Sequence, residues 1–187
     1  MKMGHHHDHM FKVLIVGDAT VGKTSLVQRY ANDSFNKHYK STVGVDFALK
    51  VVQWSESETV RLQLWDIAGQ ERFTSMTRLY YREASACVIM FDVTNFNTFS
   101  NSQKWKLDLD SKLTLPDGSL VPCLLLANKC DLSPETSVKE NKNINESMRV
   151  LIEKMMSSFT GDGDLPGSGR GDYINIKDAS PPGWGCC

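Results

Sequence analysis

The chain has 187 residues, 41% of them hydrophobic and 23% charged, the size and balance of one globular domain with a sizeable core; two domains would be cramped. Its formal net charge is −1 with 21 Lys and Arg dispersed along the sequence, so it carries no electrostatic footprint for nucleic acid, and phosphate contacts should be local ones. No apolar run approaches the roughly 20 residues that cross a bilayer, and the polar start lacks the apolar stretch of a signal peptide, which points to synthesis and residence in the cytosol.

Residues 1–10 read as a disordered N-terminus. His5, His6, His7 and His9 are only compositional evidence for metal binding, and a solvated, tag-like role is the expectation. Phe11 to Val16 is a short, nearly continuous apolar run, the pattern of a strand buried in a parallel sheet. It ends at Gly17-Asp18-Ala19-Thr20-Val21-Gly22-Lys23-Thr24, which fits G-x-x-x-x-G-K-S/T and opens a helix expected from about Lys23 to Tyr30. That strand–loop–helix context is what the motif requires. Amides of Ala19, Thr20, Val21, Gly22, Lys23, Thr24 and Ser25 surround phosphate oxygens at a helix N-terminus, Lys23 adds charge, and the Thr24 hydroxyl is a ligand for Mg²⁺. The motif specifies a nucleoside triphosphate and leaves the base open.

Thr42 lies in a polar stretch before the next strand; as an isolated threonine it reads as a solvated loop residue, and beside the other motifs its hydroxyl would complete the metal shell in the triphosphate state, with loss of the γ-phosphate releasing the segment. Val45 to Trp54 and Val60 to Trp65 are β-rich runs joined by a polar turn, Ser55 to Thr59. Asp66-Ile67-Ala68-Gly69-Gln70 follows at a strand end: Asp66 reaches Mg²⁺ through water, the Gly69 amide bonds the γ-phosphate, and Gln70 orients an attacking water. Ala86 to Phe91 and Val121 to Ala127 are further buried strands. A helix from about Asn97 to Leu113 separates them, with Trp105, Leu109 and Leu113 on one apolar face. Cys87, Cys123 and Cys130 sit in or beside apolar segments and are expected as free thiols.

Asn128-Lys129-Cys130-Asp131 supplies the base: a carboxylate accepts from the two N–H donors on the edge of guanine, which adenine does not offer. Such charge-assisted bonds contribute about 1.5–3 kcal/mol each, so GTP is preferred to ATP. Ser137-Val138-Lys139 would complete that pocket. A last helix is expected from about Asn143 to Ser157, with Ile144, Met148, Leu151, Ile152 and Met155 as its stripe, and from Thr160 the Gly- and Pro-rich chain reads as a flexible tail ending in Cys186-Cys187. Strands alternating with helices imply an α/β layered sheet.

Together these motifs resemble the Rab family of small GTPases. Val43 to Phe47, Arg61 to Phe73 and Leu79-Tyr80-Tyr81-Arg82 match the segments that set Rabs apart from other Ras-like proteins, and the resemblance covers about residues 11 to 158 plus the terminal cysteines. Ile67 and Ala19-Thr20 suggest the subgroup of the trans-Golgi and lysosome-related organelles. The resemblance implies a P-loop NTPase-type fold over 11–158, a mostly parallel sheet with one antiparallel strand flanked by helices. It implies a GTP-binding, GTP-hydrolysing switch in vesicle traffic, with Mg²⁺ and GTP or GDP bound. Tyr39 would serve the ribose and the switch, and Phe47, Trp65 and Tyr80 would form the surface that effectors read. Partners implied are effectors, an exchange factor, a GTPase-activating protein, a Rab escort protein and a GDP-dissociation inhibitor. Thr74 and Ser75 sit where several Rabs are phosphorylated. Cys186 and Cys187 would carry two geranylgeranyl groups, the two chains that stable anchoring needs, holding the protein on the cytosolic face of trans-Golgi or endolysosomal membranes with a cytosolic pool.

One interval departs from the family. Only Leu132-Ser133-Pro134-Glu135-Thr136 separate Asp131 from Ser137, where Rabs place a helix and a parallel strand. Six Cα steps reach at most about 20 Å, and a parallel crossover needs a dozen or more residues. The helix and most of the last strand are therefore expected to be missing, as if deleted between Pro134 and Glu135. Either the short segment bridges the two loops across the base pocket, or Ser133-Pro134-Glu135 caps a helix and Val138 does not meet the base. Beside the switch, the alternative function is a truncated, catalytically impaired variant that binds nucleotide weakly or serves as an interaction module.

Overall fold

The computed structural model describes residues 7–34, 42–70, 77–129 and 143–160, with side chains described through residue 158. Among the described residues nine elements follow in order: β1 (His7–Gly17), α1 (Lys23–Asn32), β2 (Val45–Gln53), β3 (Glu58–Ile67), α2 (Thr77–Tyr81), β4 (Ala86–Asp92), α3 (Phe96–Lys112), β5 (Cys123–Asn128) and α4 (Ile144–Thr160). The strands form one sheet in the order β2-β3-β1-β4-β5. The pairings β1–β3, β1–β4 and β4–β5 are parallel and only β2–β3 is antiparallel, as the sequence implied.

Alternation along the strands divides the core in two. Val13 and Ile15 of β1, Leu62 and Leu64 of β3, Val88 and Met90 of β4 and Leu124 and Leu126 of β5 point to one face. There they meet Leu26, Val27 and Tyr30 of α1 and the full predicted stripe of α4. Leu14 and Val16, Cys87 and Ile89, and Cys123 point to the other face, against Trp105 and Leu109 of α3 and Tyr81 of α2. Central strands covered on both sides explain their unbroken apolar runs. Cys87 and Cys123 are buried free thiols, and the Cys87 thiol is pushed well up by burial first and by its neighbour Cys123 second.

The N-terminal segment belongs to the sheet from His7 onward. His7, Asp8, His9 and Met10 were expected outside the fold, yet they extend β1 and pair in parallel with Glu58 through Arg61. The long β3 supplies unpaired backbone groups that the chain before Phe11 satisfies: the His7 amide donates to the Ser57 carbonyl at 2.8 Å, and Arg61 reaches Asp8 at 3.2 Å. A second difference is α2, five residues that no sequence pattern marked. Its first residue is fixed from a distance, by Lys112 Nζ donating to Thr77 Oγ1 at 2.8 Å. Helix α3 begins after Asn95, whose side chain accepts from the Asn97 amide, a cap that satisfies one of the free donors of the first turn.

Candidate functional site

The loops that carry the chemistry all leave the same ends of the parallel strands, which is where open α/β sheets bind ligands. Register sets this: Ile15 lies opposite Asp66 and Gly17 opposite Met90, so the loop after β1 opens beside the end of β3. Helix α1 starts at Lys23, directly after Gly22, and its first-turn amides point into that space. Gly22 has φ of 101°, and a Cβ there would come within 2.3 Å of Asn128 Nδ2. A side chain at this position would be both strained and in collision.

Lys23 is buried and donates to the carbonyls of Gly17 at 2.9 Å and Asp18 at 2.8 Å. Burial lowers its pKa to about 8, against the raising influence of Asp66 and Asp18. The ammonium is thus held by the carbonyls of the loop it crosses.

Three residues widely separated in sequence converge beside it. Thr24 Oγ1 lies 2.8 Å from Thr42 Oγ1 and also donates to Asp66 Oδ2 in a very short hydrogen bond. Asp66 is almost wholly buried, and its other oxygen, Oδ1, has no hydrogen-bond partner among the described residues. Burial is the first cause of a raised Asp66 pKa, opposed by the Thr24 hydroxyl and by Lys23. An orphaned buried carboxylate oxygen next to two hydroxyls is a hard, all-oxygen donor set of the kind Mg²⁺ takes together with waters and substrate phosphates. The residues fit that ion: Thr24 and Thr42 would bind it directly and Asp66 through water.

Gly69 stands against the phosphate loop, and exposed Gln70 follows it toward solvent. Ala19 and Thr20 are exposed at the tip, Val21 is buried beneath them, and Thr20 adopts a positive φ of 66°. Ser25 continues the first turn of α1.

The loop after β5 is tied to the loop after β1. Asn128 is buried and its Nδ2 donates to the Val21 carbonyl at 2.8 Å, while its own carbonyl accepts from the Val93 amide. Lys129, with φ of 67°, pairs with Asp92 at 2.7 Å. The Asp92 carboxyl is held below the usual range: burial, its largest influence, pushes upward, and bonds from Lys129 and Thr94 prevail. Tyr39, Thr74, Ser75, Cys130, Asp131, Val138, Lys139, Cys186 and Cys187, and the junction at Pro134 and Glu135, lie outside the described residues.

Phe47 and Trp65 are opposed residues of β2 and β3, their rings edge to face at 4.5 Å. Phe47 is exposed, whereas Trp65 and Tyr80 are partly buried against the α3-side core. Lys12 Nζ lies 3.6 Å over the Trp65 ring and donates to the Arg82 carbonyl, joining the hairpin to the end of α2. Sequence reasoning missed Asp18 and Lys12, because what singles them out is contact with residues dozens of positions away.

Residues 12–152 match the model of the Ras family. The chain belongs to the Ras family, in its Rab branch. A rat protein named Ras-related protein Rab-7L1 is 70% identical, covering 96% of this chain and 98% of the relative. The human protein of that name is 71% identical over the same shares, and mouse Ras-related protein Rab-32 is 49% identical over 81% of this chain and 78% of its own length. As a Rab-branch small GTPase the chain is a GTP-hydrolysing switch of membrane traffic. The alignment to the rat relative extends over 201 positions, whereas 96% of 187 residues is about 180, so about 20 positions of the relative have no counterpart in this Rab.

Proposed function

We propose that this chain binds GTP and GDP with Mg²⁺ at the cleft described above and hydrolyses GTP there through residues 11–158. The carrying observation is the junction of Thr24, Thr42 and Asp66, with its unpartnered carboxylate oxygen, beside buried Lys23. Lys23 and the amides from Ala19 to Ser25 bind and orient the phosphates. Gly69 lets its loop approach them, and Gln70 holds the attacking water. Mg²⁺, when bound, neutralises charge that develops on the phosphate oxygens. Asp131, Val138 and Lys139 complete guanine recognition, Asn128 and Lys129 fix the loop that carries it, and Tyr39 covers the ribose. Phe47, Trp65 and Tyr80 are the surface read by effectors, and an exchange factor and a GTPase-activating protein act at the same switches. Residues 159–187 tether the domain through lipidated Cys186 and Cys187, handled by a Rab escort protein and a GDP-dissociation inhibitor, on trans-Golgi or endolysosomal membranes.

Single-turnover hydrolysis tests this. Gln70→Leu should retain GTP and lower its hydrolysis by about 100-fold, the order of loss when a reacting group, here the attacking water, is no longer held in place. Turnover unchanged in that variant would refute the assignment.

The unmatched positions favour a second reading, an impaired variant. We infer that they fall between Pro134 and Glu135. Crossovers between parallel strands are right-handed, so a helix leading outward from β5 would lie on the same face as α3. On that face Ile89, Phe99, Cys123 and Leu125 line an apolar groove of about 220 Å³ between α3 and β5. A chain that neither retains GTP after gel filtration nor melts cooperatively would establish the impaired reading.

A further inference from the structure

The phosphate loop is braced from a side that its chemistry does not require. Both carboxylate oxygens of Asp18 accept hydrogen bonds from α3: Oδ2 from Asn101 Nδ2 at 2.7 Å and Oδ1 from Trp105 Nε1 at 3.0 Å. Asn101 and Trp105 are four residues apart and so share one helix face. Trp105 is completely buried, which fixes its indole N–H in place. The backbone of the same aspartate faces the reacting centre. Its carbonyl accepts from Lys23 Nζ, and a Cβ built on Gly69 would lie 2.6 Å from the Asp18 carbonyl carbon and 2.3 Å from the Ala19 nitrogen. The Asp18–Ala19 peptide is therefore wedged between Lys23 and the loop that carries Gln70, and its outward side is held by helix α3.

We propose that Asp18 is a positioning residue, clamped by Asn101 and Trp105, that sets the phosphate loop for nucleotide binding and thereby makes α3 a determinant of how long nucleotide is retained. Releasing the carboxylate frees the Asp18–Ala19 peptide to rotate. Lys23 then loses one of its two carbonyl partners, and the amides that follow no longer converge. A charged acceptor between two neutral donors makes the clamp stronger than ordinary loop hydrogen bonds, and nothing in a G-x-x-x-x-G-K-S/T pattern demands a carboxylate at this position. The inference rests on the reading of the cleft as a nucleotide site.

Three variants test it. Asn101→Ala changes a partly exposed helix position to the best helix former, so folding is not at stake. Asp18→Asn sets an amide against the Asn101 amide. The double exchange Asp18→Asn with Asn101→Asp reverses the polarity of that bond and leaves an oxygen for the Trp105 donor. Two quantities are read in each: the release rate of a fluorescent GDP analogue in Mg²⁺, and hydrogen exchange at the amides of residues 19–22 in nucleotide-free protein. Asn101→Ala and Asp18→Asn should each raise both by about tenfold, the factor for one such bond. The double exchange should return both to within about threefold of the starting chain, a rescue that a merely structural role for either residue does not predict. Release and exchange within about twofold of the starting chain in Asn101→Ala, or a double exchange no better than Asp18→Asn alone, would overturn the proposal. If the starting chain does not retain the GDP analogue, the nucleotide-site reading fails, and the exchange measurement alone decides whether the clamp orders the loop.

Discussion

The phosphate end of the cleft hangs from strands in the middle of the sheet, whereas the base end hangs from β5, the last strand in the order β2-β3-β1-β4-β5. The groups proposed for phosphate and metal come from the ends of β1 and β3, which pair over nine positions, with Thr42 added from the segment before β2, and they are fixed by contacts to one another: Thr24 to Asp66 and Thr42, Lys23 to Gly17 and Asp18, Gly69 against Ala19. At the base end, Asn128 bonds back to Val21 and Lys129 to Asp92, and the rest of that pocket depends on chain beyond Lys129. On the proposed assignment, a shortened chain after Asp131 would bear on base choice and leave the phosphate and metal chemistry to groups that precede it. The two ends are separable by experiment.

The largest effect should come from the phosphate end. Asp66→Asn keeps the shape of the side chain and removes the charge beside Thr24 and Thr42. With the carboxylate gone, Mg²⁺ should no longer slow nucleotide release, and the rate in Mg²⁺ should rise about 100-fold toward the rate in chelator, two decades at roughly 1.4 kcal/mol each. Equal Mg²⁺ sensitivity in the variant and the starting chain would show that these three residues do not hold the ion.

The base end is sharpened by changing the ligand instead of the protein. Inosine triphosphate lacks the exocyclic amine of guanine and so offers a carboxylate one donor in place of two. If Asp131 meets the base, competition binding should place it about 10- to 150-fold below GTP, the span of one charge-assisted hydrogen bond. Equal affinities for the two nucleotides would mean that the phosphate end works and the base pocket does not form.

How much of this was legible follows the same division. The buried strands, the hairpin and the stripes of α3 and α4 were readable because period and composition are local properties, and Thr24 and Asp66 belong to motifs at strand ends, whereas Thr42 lies in no motif and on its own reads as a loop residue. What could not be read depends on tertiary partners. His7 to Met10 look like a polar leader and become strand because β3 is long enough to pair with them. Helix α2 has five residues, too few for a periodic signal, and Lys112 pins its start. The Asp18 clamp joins residues more than 80 positions apart, and a lone Asp in a loop carries no mark of it.

The smallest expected effect concerns the scaffold beneath the phosphate end. Tyr30 is buried in α1 among residues of the same core that receives α4, and burial raises its pKa from 10.0 to about 12. Its neutral form is the one the fold favours, so the unfolded chain gives up this proton first. The stability it contributes is complete below about pH 10 and is lost as the pH rises toward 12. Tyr30→Phe keeps the ring and deletes the titration. Urea midpoints should differ little between the two proteins at pH 8, and between pH 10 and pH 11.5 the starting chain should lose stability more steeply than the variant. Parallel curves would mean that the hydroxyl stays solvated and that α1 is not packed as closely as the rest of this core. Because Tyr30 and the stripe of α4 share one cluster, fluorescence and circular dichroism should report a single transition in both proteins; two transitions would place α4, and the base end that precedes it, outside the cooperative unit that carries the phosphate site.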